Sequence, residues 1–321
     1  MQIPGTDLEC SRLGLGTWGL GGRNAVEGLE LGWPELSRET AKAILVSARD
    51  SGISFFDCSD FYGNGAAETL LGEVFGADRE VLFATKFGLT SRLQPGANNL
   101  ARDFSGAAAL KCIEQSLRRL RRDAIDLLQL HGPGIETLTH NDLWRDLDAA
   151  RKAGKVRYVG VSVRTSEVVT GRLNEWCAAP LVSTVQAEYS AATPQCVRAI
   201  HDADLRGRGL LARSVFCHGM LLRDPYGQTA FSEQDHRANK WNGKMRVRIA
   251  KFWSEVRMAT VETKLSTLLR FSLAGSNVAM AVVGASSPSQ VTELVEAANR
   301  PPMGANERRV VEEAAALAFE S

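Results

Sequence analysis

Four residues suited to moving protons stand where short apolar runs end: Asp57, Tyr62, Lys86 and His131. Asp57 ends a strand read in 53–59, and Tyr62 follows in the next loop. Lys86 ends the run 81–87 and His131 ends 125–131. A lysine closing an apolar strand is costly to bury unless it is paired, and Asp57 is the nearest strand-end carboxylate. A phenol beside an ammonium has its anion favoured, so Tyr62 is expected to titrate below its ordinary value of about 10. A tyrosine tuned in this way can donate a proton near neutral pH. His131 can then position or polarise a carbonyl. The four together make a site for protonating a carbonyl oxygen.

The elements that must position them form a rhythm. Eight β-rich apolar runs occur at 13–17, 53–59, 81–87, 125–131, 156–162, 183–189, 209–215 and 278–285. Helical patterns alternate with them. Ala41, Ile44, Leu45 and Ala48 fall at i, i+3, i+4 and i+7, as do Leu110, Ile113, Leu117 and Leu120. Ser37 and Ser105 are the expected N-caps of these two helices. Apolar strands alternating with helices give a parallel sheet covered on its outer face. Eight such units close as a (β/α)₈ TIM barrel, a single α/β domain over residues 1–321. The spacing breaks once, between 215 and 285. There 216–242 reads as a loop over the barrel mouth, with turn chemistry at Asp224-Pro225-Tyr226-Gly227, and helices are expected at 244–258 and 260–273. Residues 19–34 and 90–103 read as further loops at the carboxyl end of the strands, and an alanine-rich tail at 307–320 as a closing C-terminal helix.

Composition sets limits. The 321 residues are 44% hydrophobic and 23% charged, and 38 basic against 37 acidic residues leave +1. That balance fits a packed chain and gives no electrostatic footprint for nucleic acid or an anionic membrane. No apolar run approaches the roughly 18 residues of a membrane span, and residues 1–7 lack the features of a signal peptide. Six scattered cysteines without a C-x-x-C pair point to reduced thiols, a cytoplasmic setting and no metal site. Gly14-x-Gly16-x-x-Gly19 fits a dinucleotide fingerprint formally, but no helix opens after it. Arg118-Arg119-Leu120-Arg121-Arg122 closes a helix, where cations complement the dipole.

Longer motifs carry a resemblance. Phe55-Phe56-Asp57-Cys58-Ser59-Asp60-Phe61-Tyr62-Gly63 with Glu68-Thr69-Leu70-Leu71-Gly72, then Asp126-Leu127-Leu128-Gln129-Leu130-His131, then Gly154-Lys155-Val156-Arg157-Tyr158-Val159-Gly160-Val161-Ser162, resemble the three signatures of the aldo-keto reductase superfamily. Gly14-Leu15-Gly16-Thr17-Trp18 matches its opening. The resemblance implies a barrel that binds NADPH without a metal and reduces small aldehydes, ketones or keto-sugars. It makes Tyr62 the general acid, Lys86 its modulator, Asp57 the partner of Lys86 and His131 the group that orients the carbonyl. It puts Thr17, Trp18, Asp57, Ser162, Gln186, Arg213, Ser214, Gly284, Ser286, Gln290 and Glu293 at the cofactor. Within that set Ser162 and Gln186 meet the carboxamide and Ser214 the pyrophosphate. Ser286, Gln290 and Glu293 meet the adenosine end, where a helix N-terminus suits a phosphate.

Four positions depart from the usual pattern. Val163 replaces an Asn and Leu294 another Asn. Arg213 replaces an aromatic, and its guanidinium plane can also stack. Gly284 stands where some members carry a lysine for the 2′-phosphate, so an arginine from Arg246 to Arg248 is expected to supply that charge. Two other functions fit the same barrel: a cofactor-sensing binding subunit that turns over slowly, and an isomerase or aldolase using Lys86 as a Schiff base. Loop arginines Arg23, Arg92, Arg102 and Arg223 suit a polar or anionic substrate, and His218 is placed to touch it.

Overall fold

The computed structural model describes residues 1–94, 99–227, 231–232, 235–238, 240–257 and 262–320. Eight parallel strands close on themselves: β1 Leu13–Gly16, β2 Phe55–Asp57, β3 Leu82–Phe87, β4 Ile125–His131, β5 Val156–Ser162, β6 Val182–Glu188, β7 Gly209–Arg213 and β8 Val278–Val283. Each strand pairs with its sequence neighbours, and β8 returns to β1. This is the expected (β/α)₈ barrel, strand for strand.

Side-chain alternation explains where the chemistry lies. Leu82, Ala84 and Lys86 share one face of β3, while Phe83, Thr85 and Phe87 take the other. Leu127, Gln129 and His131 repeat the pattern in β4. Leu82, Ala84, Leu127, Phe55, Leu211, Met280 and Val282 form one apolar cluster inside the barrel. In β2, β3, β4 and β7 the inner stripe therefore turns from apolar to polar toward the carboxyl end. Register carries the polar ends to one level: Gly16 pairs with Asp57, Lys86 with Gln129, His131 with Ser162, and Ser162 with Gln186.

The amino end of the barrel is plugged by a segment to which the sequence assigned no place. Ile3, Leu8 and Cys10 join the inner cluster, held by an antiparallel bridge between Gln2 and Glu9. Outside lie α1 Arg38–Asp50, α2 Ala66–Phe75, α3 Gly106–Leu120, α4 Asn141–Lys152, α5 Thr165–Val169, α6 Leu173–Ala178, α7 Pro194–Asp202, α8 Gly243–Arg257, α9 Lys264–Leu273, α10 Pro288–Ala298 and α11 Ala305–Phe319. Ser37 and Ser105 do cap α1 and α3, accepting from the Thr40 and Ala108 amides at 3.1 and 3.2 Å. Thr263 caps α9. The helix expected from 260 thus begins at Lys264, and 258–261 lie outside the described residues. The closing helix α11 starts at Ala305 and packs on α8, while α10 packs on α1 and α9.

Two of the expected loops contain hairpins. Ala25–Val26 pairs with Leu29–Glu30 across Glu27-Gly28, both with positive φ (49° and 83°), the geometry of a two-residue hairpin turn. Leu89–Leu93 pairs with Leu100–Arg102. Strands this short carry too few alternating positions to stand out from a loop.

Candidate active site

Lys86 is 1% exposed. Its ammonium donates to Asp57 Oδ2 at 2.5 Å, to the Cys58 carbonyl at 2.8 Å and to Tyr62 Oη at 3.1 Å. All three protons are therefore used, as a buried ammonium requires. Burial pushes the Lys86 pKa down, but Asp57 and Tyr62 outweigh it and hold the group above its ordinary value. Asp57 has a second set of donors: Gln186 Nε2 at 2.7 Å and Gln129 Nε2 at 3.2 Å both reach Oδ1. The tie between strands β2 and β3 thus extends to β4 and β6.

Tyr62 is half-buried in the loop after β2. Gly63, with φ of 58°, lets that loop press against the one after β1, because a Cβ there would sit 2.0 Å from the Gly21 carbonyl oxygen. The Tyr62 ring lies edge-on to His131, centroids 5.9 Å apart at 85°, and stacks on Trp18 at 5.9 Å and 20°. The expected lowering of the Tyr62 pKa is corrected here. Lys86 does pull it down, but burial raises it more and the Asp57 charge adds to the rise, so the net direction is up. The phenol is held as a proton donor. His131 is driven well below the ordinary histidine range, first by burial and then by Lys86, Arg213 and Arg102. Its ring is therefore neutral at pH 7.

The residues expected at the cofactor divide into three groups. Ser162 and Gln186 meet, with the hydroxyl donating to Gln186 Oε1 at 3.1 Å beside Asp57. Gln129 Oε1 is a buried acceptor with no partner. A carboxamide, which donates and accepts, fits this cluster. Arg213 spans the mouth, donating to the Val163 carbonyl at 2.9 Å and Ser214 Oγ at 3.3 Å. Ser214, Cys217 and His218 all have positive φ, a concentration of strain usual at functional loops. Ser286 and Gln290 lie exposed at the start of α10, where Gln290 Oε1 accepts from the Ser286 amide at 2.8 Å. Glu293 is exposed on the same helix and Gly284 opens on free space, its nearest neighbour for a Cβ being the Gly16 carbonyl at 3.9 Å.

Others lie elsewhere than expected. The Thr17 hydroxyl is buried and donates to the Asp57 carbonyl at 3.0 Å, so it fixes the end of β2. Leu294 and Val163 are buried in the core and offer nothing to a ligand. Arg246 donates to the carbonyls of Pro225 and Gly227 at 2.7 and 3.0 Å, so it tethers the mouth loop.

Trp18 stands in an aromatic cluster beside Tyr62. Around it stand His218 at 5.7 Å, His236 at 4.6 Å and Trp33 at 5.6 Å, centroid to centroid. Sequence reasoning missed Trp33 and His236, which lie far apart in the chain and show no periodicity. It also missed Gln129, although the i−2 spacing from His131 puts it on the inner stripe. Among the described residues no group of three or more His, Cys, Asp or Glu could hold a metal ion, and no helix is long and apolar enough to cross a membrane. All six cysteines are buried and unpaired.

An oxidoreductase of Bacillus subtilis is 26% identical over 295 residues, 92% of this chain and 89% of that protein. The aldo-keto reductase yakc [NADP(+)] of Schizosaccharomyces pombe is 35% identical over 166 residues, 51% of this chain and 47% of that one. The glycerol dehydrogenase of Gluconobacter oxydans superposes with a TM-score of 0.76 at 25% identity, covering 100% of this chain and 96% of that one. The model of the aldo/keto reductase family matches residues 12–315, and the chain belongs to that family.

Proposed function

We propose that this protein is an NADPH-dependent carbonyl reductase in which Tyr62 is the general acid. The observation that carries the reading is the contact of Lys86 Nζ with both Asp57 and Tyr62, with neutral His131 edge-on to the same phenol. Bound nicotinamide supplies the hydride. Tyr62 then gives its proton to the carbonyl oxygen as that oxygen gains charge, and Lys86 stabilises the phenolate left behind. His131 orients the carbonyl without charge of its own. Asp57, fixed by Gln129 and Gln186, keeps Lys86 protonated. In the reverse direction the same residues take a proton from an alcohol.

Ser162, Gln186 and Gln129 would hold the carboxamide, and Arg213 with Ser214 the adjoining part of the cofactor. Ser286 and Gln290 would meet the adenosine end at the start of α10, where the helix dipole favours an anion. With Arg246 engaged elsewhere, the preference for NADPH rests on that helix start and on likeness to the yeast relative named for NADP(+). The substrate is a small polar carbonyl such as an aldehyde, ketone or keto-sugar. The aromatic mouth around Trp18 and likeness to a glycerol dehydrogenase both favour polyhydroxy compounds. Six buried thiols suit a reducing compartment such as the cytoplasm. An ammonium kept charged by three hydrogen bonds is a poor nucleophile, which disfavours a Schiff base at Lys86. The test is steady-state oxidation of NADPH with a panel of aldehydes, ketones and keto-sugars. Absence of turnover with all of them, alongside tight cofactor binding, would favour the sensing subunit instead.

A further inference from the structure

Ser59 Oγ lies at a junction of four polar groups. The Phe61 amide donates to it from 3.1 Å. His131 Nδ1 is 3.1 Å away and Asp60 Oδ1 3.2 Å, while the Lys86 carbonyl is more distant at 3.5 Å. A hydroxyl has one proton and two lone pairs. The Phe61 amide takes one lone pair. For both Asp60 and His131 to be bonded to it, Ser59 gives its proton to one of them and receives a proton from the other.

Two neutral-ring arrangements keep both groups bonded to Ser59. If Asp60 is protonated, its O–H donates to Ser59 Oγ, and the Ser59 hydroxyl donates to His131 Nδ1. The histidine proton is then on Nε2. If Asp60 is a carboxylate, the Ser59 hydroxyl donates to it, and His131 Nδ1–H donates to Ser59. Nε2 is then a bare acceptor. The two states differ by one proton. When Nε2 releases its proton, that of Asp60 moves to Ser59 Oγ and that of Ser59 to Nδ1. The ring stays neutral and the charge appears on Asp60.

We propose that Ser59 and Asp60 are positioning residues that set which nitrogen of His131 carries the proton, and so whether it donates to a carbonyl oxygen or accepts from an alcohol. The inference rests on the reading that His131 orients the reacting oxygen. Asp60 is placed to exchange with solvent, because it lines a cavity of about 360 Å³ between β3, the hairpin that follows it and the start of α3. It faces Glu68 on α2 with its partner Arg119 on α3, Cys112 on α3, and Lys111 and Asp103 across the cavity. His131 faces Lys86, Tyr62, Arg102 and Arg213. Burial, and then the Glu68 charge, raise the Asp60 pKa to about 7 against the opposing pull of Cys112, Ser59 and Arg119. The exchange therefore falls in the physiological range.

The direct test is the imidazole ¹⁵N spectrum of His131 in the full chain, followed from about pH 5.5 to about pH 8.5. The wild type should pass from the Nε2–H to the Nδ1–H form with a midpoint near 7. Carbonyl reduction should fall about tenfold between about pH 6 and about pH 8, as the protonated fraction of such an acid does, while alcohol oxidation rises. Asp60→Asn and Ser59→Ala should each abolish both the exchange and the limb of the pH profile. A single His131 tautomer across the range in the wild type, or an exchange that persists in both variants, overturns the proposal. The spectrum needs no turnover. A protein that exchanges tautomers but reduces no carbonyl would fail the proposed function and leave the Ser59–Asp60 control of His131 standing.

Discussion

Gln186 reaches from β6 to Asp57 on β2, 129 residues away in the chain, and donates to Oδ1 at 2.7 Å. Gln129 donates to the same oxygen from β4, while Lys86 on β3 holds Oδ2. Four strands thus meet at one buried carboxylate. Neutral donors fix one oxygen and a cation the other, so Asp57 orients Lys86 rather than merely neutralising it. The ammonium is in turn aimed at Tyr62.

Removing the cation leaves that carboxylate buried without a counter-charge. Lys86→Met should destabilise the fold by about 3–5 kcal/mol in urea unfolding. The double change Lys86→Met with Asp57→Asn should recover part of the loss. Because the folded Lys86 pKa is raised, its contribution is complete below the unfolded value of about 10.4 and is lost as pH rises through the higher folded value. The difference in urea midpoint between wild type and Lys86→Met should therefore narrow only at strongly alkaline pH. A variant with the wild-type midpoint at pH 7 contradicts the pairing.

Acid should act through the histidines at the mouth. Burial lowers the pKa of His236 to about 4 and of His218 to about 3, and lowers that of His131 as well. The unfolded chain binds these protons near pH 6.5 and the folded chain does not, so stability falls as pH drops below about 6.5. Each group should contribute about 2 kcal/mol between pH 7 and pH 5. His236→Gln should flatten that slope in urea midpoints measured at the two pH values. An unchanged slope would mean that His236 is open to water in solution.

Cofactor choice separates two accounts of the adenosine end. Arg246 tethers the mouth loop through Pro225 and Gly227. Arg246→Ala should leave NADPH affinity within about twofold of wild type while lowering stability by about 1–3 kcal/mol. Ser286→Ala and Gln290→Ala should weaken NADPH more than NADH. Fluorescence titration of both cofactors decides the matter. Equal wild-type affinities for NADH and NADPH would remove the NADP preference and leave the carbonyl chemistry intact.

Much of this could be read from the chain. Lys86 and His131 stood out because a charged or titratable residue at the polar end of an apolar inner stripe has few structural reasons to be there. The eight strands were legible because each alternates or stays apolar for long enough to show. Other features depended on contacts distant in sequence. Gln129 is an ordinary polar residue until Asp57 arrives beside it from β2. Ser59 and Asp60 were visible only as part of a longer motif, since their link to His131 spans 72 residues. The net direction of the Tyr62 pKa was misread because the sequence shows the neighbouring charge but not the depth of burial. The place of Arg246 depends on how the mouth loop folds back on α8, which no local pattern encodes.

The central claim is that the Tyr62 hydroxyl donates the proton, and Tyr62→Phe tests it most directly. The change removes one oxygen and keeps the ring stacked on Trp18, so NADPH affinity should hold, while the Lys86 proton left without its acceptor should lower stability in urea by about 1–3 kcal/mol. Single-turnover reduction of a carbonyl substrate with bound NADPH should slow by about 10²–10⁴. A Tyr62→Phe protein that reduces the carbonyl at near the wild-type rate would contradict the account.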